Sequence, residues 1–176
     1  MGSLGTDHPF PADAFADVVA DNARYAERLD ATDLPGRAAK GLAILTCIDS
    51  RIDALAVAGL HEGDAYVIRN AGARVTEDVL RSLVLASSLM GVERVLVMPH
   101  TRCAMAVRDE AGIHAQIAEQ HGVDTRSLEF RTVSDQVEAL RTDVVRIRSL
   151  PYLPDDLVVG GAIYHVESGL LEPVDA

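Results

Sequence analysis

Apolar positions along the chain follow two rhythms. Short unbroken runs, GLAILTC (41–47), AYVIRN (65–70) and RVLVMP (94–99), read as buried strands. Longer stretches with helical spacing separate them. FPADAFADVVADNARYAERL (10–29) predicts a helix with Pro11 near its first turn, and IDALAVAGL (52–60) predicts a shorter one. TEDVLRSLVLASSLM (76–90) is the clearest helix: Thr76 is placed to cap it, Glu77 and Asp78 complement its dipole, and Gly91 follows its end. EAGIHAQIAEQHG (110–122) and SDQVEALRTDVVRIRSL (134–150) predict two more helices, with SLEFRTV (127–133) as a strand between them. LVVGGAIYHVESGLLEPV (157–174) predicts a final strand pair that turns at Ser168-Gly169.

Strands that alternate with helices imply βαβ units, hence an α/β fold with a mainly parallel sheet and helices on both faces. Ligands of such sheets bind at the carboxyl ends of the strands. LPG (34–36) punctuates the chain, but no repeat or composition break marks a linker. We therefore expect residues 1–176 to form a single domain, with 1–9 as a flexible N-terminus. Apolar residues make up 48% of the chain and aromatics only 4%, so the core must be built mostly from Ala, Val, Leu and Ile.

Charge narrows the range of partners. A formal net charge of −11 with no basic run argues against nucleic acid, whose binding needs a positive footprint. No segment approaches the ~18 apolar residues of a membrane span, and the first residues resemble no signal peptide. A soluble cytoplasmic protein is the expectation. In that reducing setting the two cysteines are not expected to form a structural disulfide.

Their positions carry the chemistry. TCIDSR (46–51) puts Cys47, Asp49 and Arg51 at alternate positions directly after the first strand. MPHTRCAM (98–105) puts His100 and Cys103 directly after the third. A sheet with those strands side by side brings all three metal-binding side chains together. Two thiolates and an imidazole suit zinc, which in catalytic sites keeps its fourth position open. On spacing alone, H-x-x-C fits two buried core thiols equally well. A charged pair right after a buried strand demands a further reason.

The combination C-I-D-S-R (47–51), V-I-R-N-A-G (67–72) and H-T-R-C (100–103) resembles the β-class carbonic anhydrases, most closely the short bacterial members, from about residue 10 to the end. The resemblance implies a zinc enzyme that hydrates carbon dioxide reversibly to bicarbonate and a proton through a zinc-bound hydroxide. It implies Cys47, His100 and Cys103 as ligands of one zinc per chain, and Asp49 and Arg51 as the catalytic dyad. Arg69, Asn70, Ala71 and Gly72 fall on a loop that helps shape the site, so Asn70 and Gly72 are assigned to the substrate pocket. The implied sheet has order 2-1-3-4 plus an antiparallel edge strand. The implied assembly is a homodimer or dimer of dimers, with an N-terminal helix laid over the partner.

Two thiolates leave zinc a weaker acid than three imidazoles would, so a group that orients the bound hydroxide is useful. Asp49 can accept its hydrogen bond while Arg51 keeps Asp49 ionised and turned away from the metal. If the pair opens, Asp49 is near enough to take the fourth zinc position itself. Other chemistries remain open: hydrolysis of carbonyl sulfide or carbon disulfide, or a non-catalytic zinc or thiol-redox protein. His61, His114 and His121 are expected at the surface, His165 in a structural role and Arg74 at the surface. Ala104 stands where the family commonly has glycine, which predicts a slightly altered loop.

Overall fold

The computed structural model describes residues 10–29 and 36–176. The chain divides into two units, residues 1–34 and 35–176. In the first, a 3₁₀ turn at Ala12–Phe15 leads into α1 (Ala16–Ala26), somewhat shorter than the span predicted. The expected flexible residues 1–9 lie outside the described residues.

The second unit is built on a five-stranded sheet of order β2-β1-β3-β4-β5. Its strands are β1 (Leu42–Cys47), β2 (Ala65–Asn70), β3 (Arg94–Met98), β4 (Val158–Tyr164) and β5 (Leu171–Val174). The first four run parallel and β5 pairs antiparallel with β4. β1 lies between β2 and β3, in register Cys47↔Asn70 and Thr46↔Met98, and every residue from Ala43 to Cys47 is buried. A central parallel strand has no wet face, which explains the unbroken apolar run.

The helices are α2 (Ala54–Val57), α3 (Glu77–Leu89), α4 (Glu110–His121) and α5 (Gln136–Arg148). On one face of the sheet, Ala43, Leu45, Val95 and Val97 pack under Leu80 and Leu83 of α3 and Leu140, Val144 and Ile147 of α5. On the other, Ile44 and Met98 pack with Ile52, Ala54 and the two cysteines. α5 approaches β4 closely: a Cβ on Gly161 would meet Leu140 Cδ1 at 2.9 Å.

The caps predicted for the 76–90 helix form: Thr76 accepts from the Val79 N–H at 3.4 Å, and Gly91 takes left-handed backbone after α3. Asp135 also caps α5, and Gly122 takes left-handed backbone after α4. The helix expected over 52–60 is a single turn, ended at Gly59, whose φ is +66°. The strand expected over 127–133 does not form. The Glu110 carboxylate takes the Phe130 and Thr132 N–H groups, Arg131 adopts φ +59°, and the Val133 N–H donates to Met105 O at 2.8 Å. With those donors engaged elsewhere and Arg131 in a left-handed conformation, the segment cannot run as a regular strand in a sheet ladder.

Candidate metal centre

Cys47 ends β1, and His100 and Cys103 follow β3, so adjacency of those strands brings the three together. One ligand atom from each lies within 4.8 Å of the others, and the two sulfurs are 3.9 Å apart. All three residues are buried; His100 is 0% exposed. The His100 Nδ1–H donates to the Thr101 carbonyl at 2.8 Å, which leaves Nε2 as the ring's acceptor. Nε2 is also the one buried side-chain polar atom without a partner among the described residues. An orphaned imidazole nitrogen facing two buried sulfurs fits a zinc ion, which such a donor set holds tetrahedrally with one position open.

The two sulfurs are within hydrogen-bonding reach of each other. The hydrogen bond from Cys103, aided by His100 and the Gly72 N–H, holds Cys47 far below the ordinary thiol range. The same bond, with burial, pushes Cys103 up. A metal held here would take the thiolate forms, which are the ligating ones.

Asp49 and Arg51 stand beside this set, on a turn that follows β1. The Arg51 N–H donates to Asp49 Oδ1 at 3.0 Å, an Asx turn that brings the two side chains together. Arg51 Nε and Nη2 then fork onto the two carboxylate oxygens at 2.8 and 2.7 Å. Asp49 Oδ2 is 3.8 Å from His100 Nε2. The Arg51 guanidinium holds the Asp49 carboxyl well below the usual carboxylate range. Arg51 Nη2 also donates to Arg102 O at 3.3 Å, tying this arm to the His100–Cys103 loop.

The loop after β2 supports the Cys47 arm. Arg69 donates to Cys47 O at 2.9 Å and Asp49 O at 2.7 Å. Asn70 closes its own loop: Oδ1 accepts from Arg74 N at 2.9 Å, and Nδ2 donates to Arg74 O at 2.6 Å. Gly72 has φ +81° and donates its N–H to Cys47 Sγ at 3.4 Å; a Cβ there would sit 3.2 Å from Met105. Ala104 begins a 3₁₀ turn and has no positive φ, so replacing the family's glycine introduces no strain. The left-handed residue of that loop is Arg102, at φ +54°.

Several supporting residues were not read from the sequence. Glu167 binds the Thr101 hydroxyl at 2.6 Å and pairs with Arg102. Gln136 donates to His100 O at 2.7 Å. Arg74, expected at the surface, forms an ion pair with Asp143 at 2.7 Å, their side chains 17% and 5% exposed. One signal for Asp143 was available: it falls on the apolar stripe of α5 with Leu140, Val144 and Ile147. His114 is half-buried, not solvated, with Nδ1 2.9 Å from Thr125 Oγ1 and its ring against Phe130. His61 and His121 are exposed as expected.

The chain is similar to known proteins. A family model described as carbonic anhydrase matches residues 42–122. A Mycobacterium tuberculosis protein named beta-carbonic anhydrase 1 is 34% identical, covering 90% of this chain and 96% of its own. A carbon disulfide hydrolase of Acidithiobacillus thiooxidans is 29% identical over 74% of this chain and 75% of its own. The crystal structure of carbonic anhydrase from Streptococcus mutans superposes with a TM-score of 0.87 at 34% identity, covering 92% of this chain and 97% of that one. Sequence similarity over nine tenths of the length and the shared sheet leave one assignment: the chain belongs to the β-class carbonic anhydrases.

Proposed function

We propose that this protein is a carbonic anhydrase whose zinc is held by Cys47, His100 and Cys103, with Asp49 and Arg51 controlling the open side of the site. The observation that supports it most is the buried Cys-His-Cys set whose only unpartnered polar atom is His100 Nε2, with a carboxylate 3.8 Å away. Zinc held by these residues would lower the pKa of a coordinated water to about 7 and so supply a nucleophile for carbon dioxide at neutral pH. With zinc bound, Asp49, kept ionised by Arg51, would accept a hydrogen bond from that nucleophile and so orient it toward the carbon. The fork from Arg51 occupies both carboxylate oxygens and would keep them from ligating the metal. Asn70 and Gly72 shape the pocket from the β2 side.

Carbon disulfide, the substrate named for the Acidithiobacillus relative, is the second reading. Its support is weaker, at 29% identity over three quarters of the chain against 34% over nine tenths. In our reading residues 1–176 work as one domain, with the site contained in 35–176. We also place the protein in the cytoplasm, where two buried free thiols stay reduced. Among the described residues no helix is long and apolar enough to cross a membrane. A homodimer or dimer of dimers fits the apolar side chains exposed on and beside α1, Phe15, Val18, Val19 and Tyr25.

Zinc analysis with stopped-flow hydration of carbon dioxide, from about pH 6.5 to about 9, tests the reading. Wild type should carry about one zinc per chain and turn over, and Cys103→Ala should lose both metal and activity. Zinc bound without hydration at any pH, with carbon disulfide hydrolysed instead, would move the assignment to the second reading.

A further inference from the structure

Arg74 and Asp143 have no place in that chemistry, yet they are among the most buried charges in the protein. Arg74 Nε and Nη2 reach Asp143 Oδ2 and Oδ1 at 2.7 and 3.4 Å, and Nη1 donates to Arg131 O at 3.2 Å. A buried ion pair contributes little net stability compared with apolar side chains of the same volume. What a forked, buried pair supplies is a fixed geometry.

What it fixes is the loop after β2. Residues 70–74 are closed by Asn70, whose amide binds the Arg74 N–H and carbonyl. Inside the loop, Gly72 and Ala73 take consecutive left-handed conformations, φ +81° and +56°, the second on a residue that resists it. Such a strained turn persists only where its surroundings hold it. Its far end is held at Arg74 by Asp143 of α5, and Arg131 binds the next carbonyl, Val75 O, at 3.1 Å. Its apex presents the Gly72 N–H to Cys47 Sγ. Gly72, Arg74, Cys103, Gln136 and Asp143 line one small cavity of about 10 Å³, so the ion pair borders the same space as Gly72 and Cys103.

We propose that Arg74 and Asp143 are positioning residues for the metal centre: they hold the 70–74 loop so that the Gly72 N–H stays on the Cys47 sulfur. An N–H donor on a ligating thiolate withdraws charge from it, which makes the metal a stronger Lewis acid and fixes the direction of the ligand. α5, remote from the ligands in sequence, thereby tunes the centre. This inference rests on Cys47 being a metal ligand.

The test uses the full chain loaded with cobalt(II) in place of zinc. It reads the thiolate-to-cobalt charge-transfer absorption and the rate of metal loss to excess chelator. Arg74→Leu/Asp143→Leu removes the pair without leaving a lone buried charge, so it should remain folded. Its charge-transfer band should move to lower energy, and metal loss should quicken by about 10-fold or more. Arg74→Lys keeps the charge but not the fork, and should shift the band the same way by less. A pair that served stability alone would give the wild-type band and loss rate in every variant that folds, and that result overturns the inference. Wild-type protein that takes up no cobalt would instead remove Cys47 as a ligand, and this inference with it.

Discussion

Two arginine–aspartate pairs flank the metal centre, and they differ in almost everything but chemistry. Asp49 and Arg51 are two residues apart, joined by a local turn, with side chains 18% and 48% exposed. Arg74 and Asp143 are 69 positions apart, joined only by the fold, and buried. An exposed pair costs little to open, because water replaces each partner. A buried pair cannot open without leaving an unpaired charge in a poor solvent. The contrast fits the opposite tasks proposed for them: the first pair to control the open side of the metal site, and the second to hold the frame of the 70–74 loop.

Breaking the buried pair on one side should have the largest effect on stability. Asp143→Leu leaves the Arg74 guanidinium unpaired and should lower the unfolding free energy by about 3–5 kcal/mol in urea titration, with the Leu/Leu double variant recovering most of it. Gly161→Ala tests the same helix without touching charge. The new Cβ would lie 2.9 Å from Leu140, one turn before Asp143, and repacking should cost about 1–3 kcal/mol. If Gly161→Ala also shifts the cobalt spectrum, α5 as a whole sets the loop; if only stability changes, the pair does so alone.

Breaking the exposed pair should barely move the unfolding midpoint of the metal-free protein. The sign of its pH dependence follows from Asp49, whose folded carboxyl lies below its unfolded value. The stability it adds is complete above the ordinary carboxylate pKa of about 3.9 and disappears as pH falls through the lowered folded value. The small gap between wild type and Arg51→Ala should therefore be constant above about pH 5 and close below about pH 4, measured by chemical denaturation at each pH.

The same contrast explains what could be read from the sequence. Cys47, Asp49 and Arg51 were legible because they are close together and follow a strand whose apolar run marks it as central. His100 and Cys103 were legible for the same reason after β3. The order that sets β1 against β3 came from the resemblance of three short motifs taken together, since no local signal encodes strand neighbours. Arg74 was read as a surface residue because its partner is on α5, and only the folded chain shows them in contact. Residues 127–133 read as a strand on propensity, but the Glu110 carboxylate takes the Phe130 and Thr132 N–H groups that a strand would need. In both cases a long-range side chain overrode the local pattern. Ala104 was a departure of composition without structural consequence, because the left-handed position in that loop belongs to Arg102.

The most direct test of the account is stopped-flow carbon dioxide hydration by zinc-loaded Arg51→Ala, with zinc content measured on the same sample. Freed of the fork, Asp49 is close enough to turn onto the metal or to lose its orientation. The account predicts about one zinc per chain and a fall in kcat of about 100-fold or more. Zinc-loaded Arg51→Ala that turns over at the wild-type rate would contradict it.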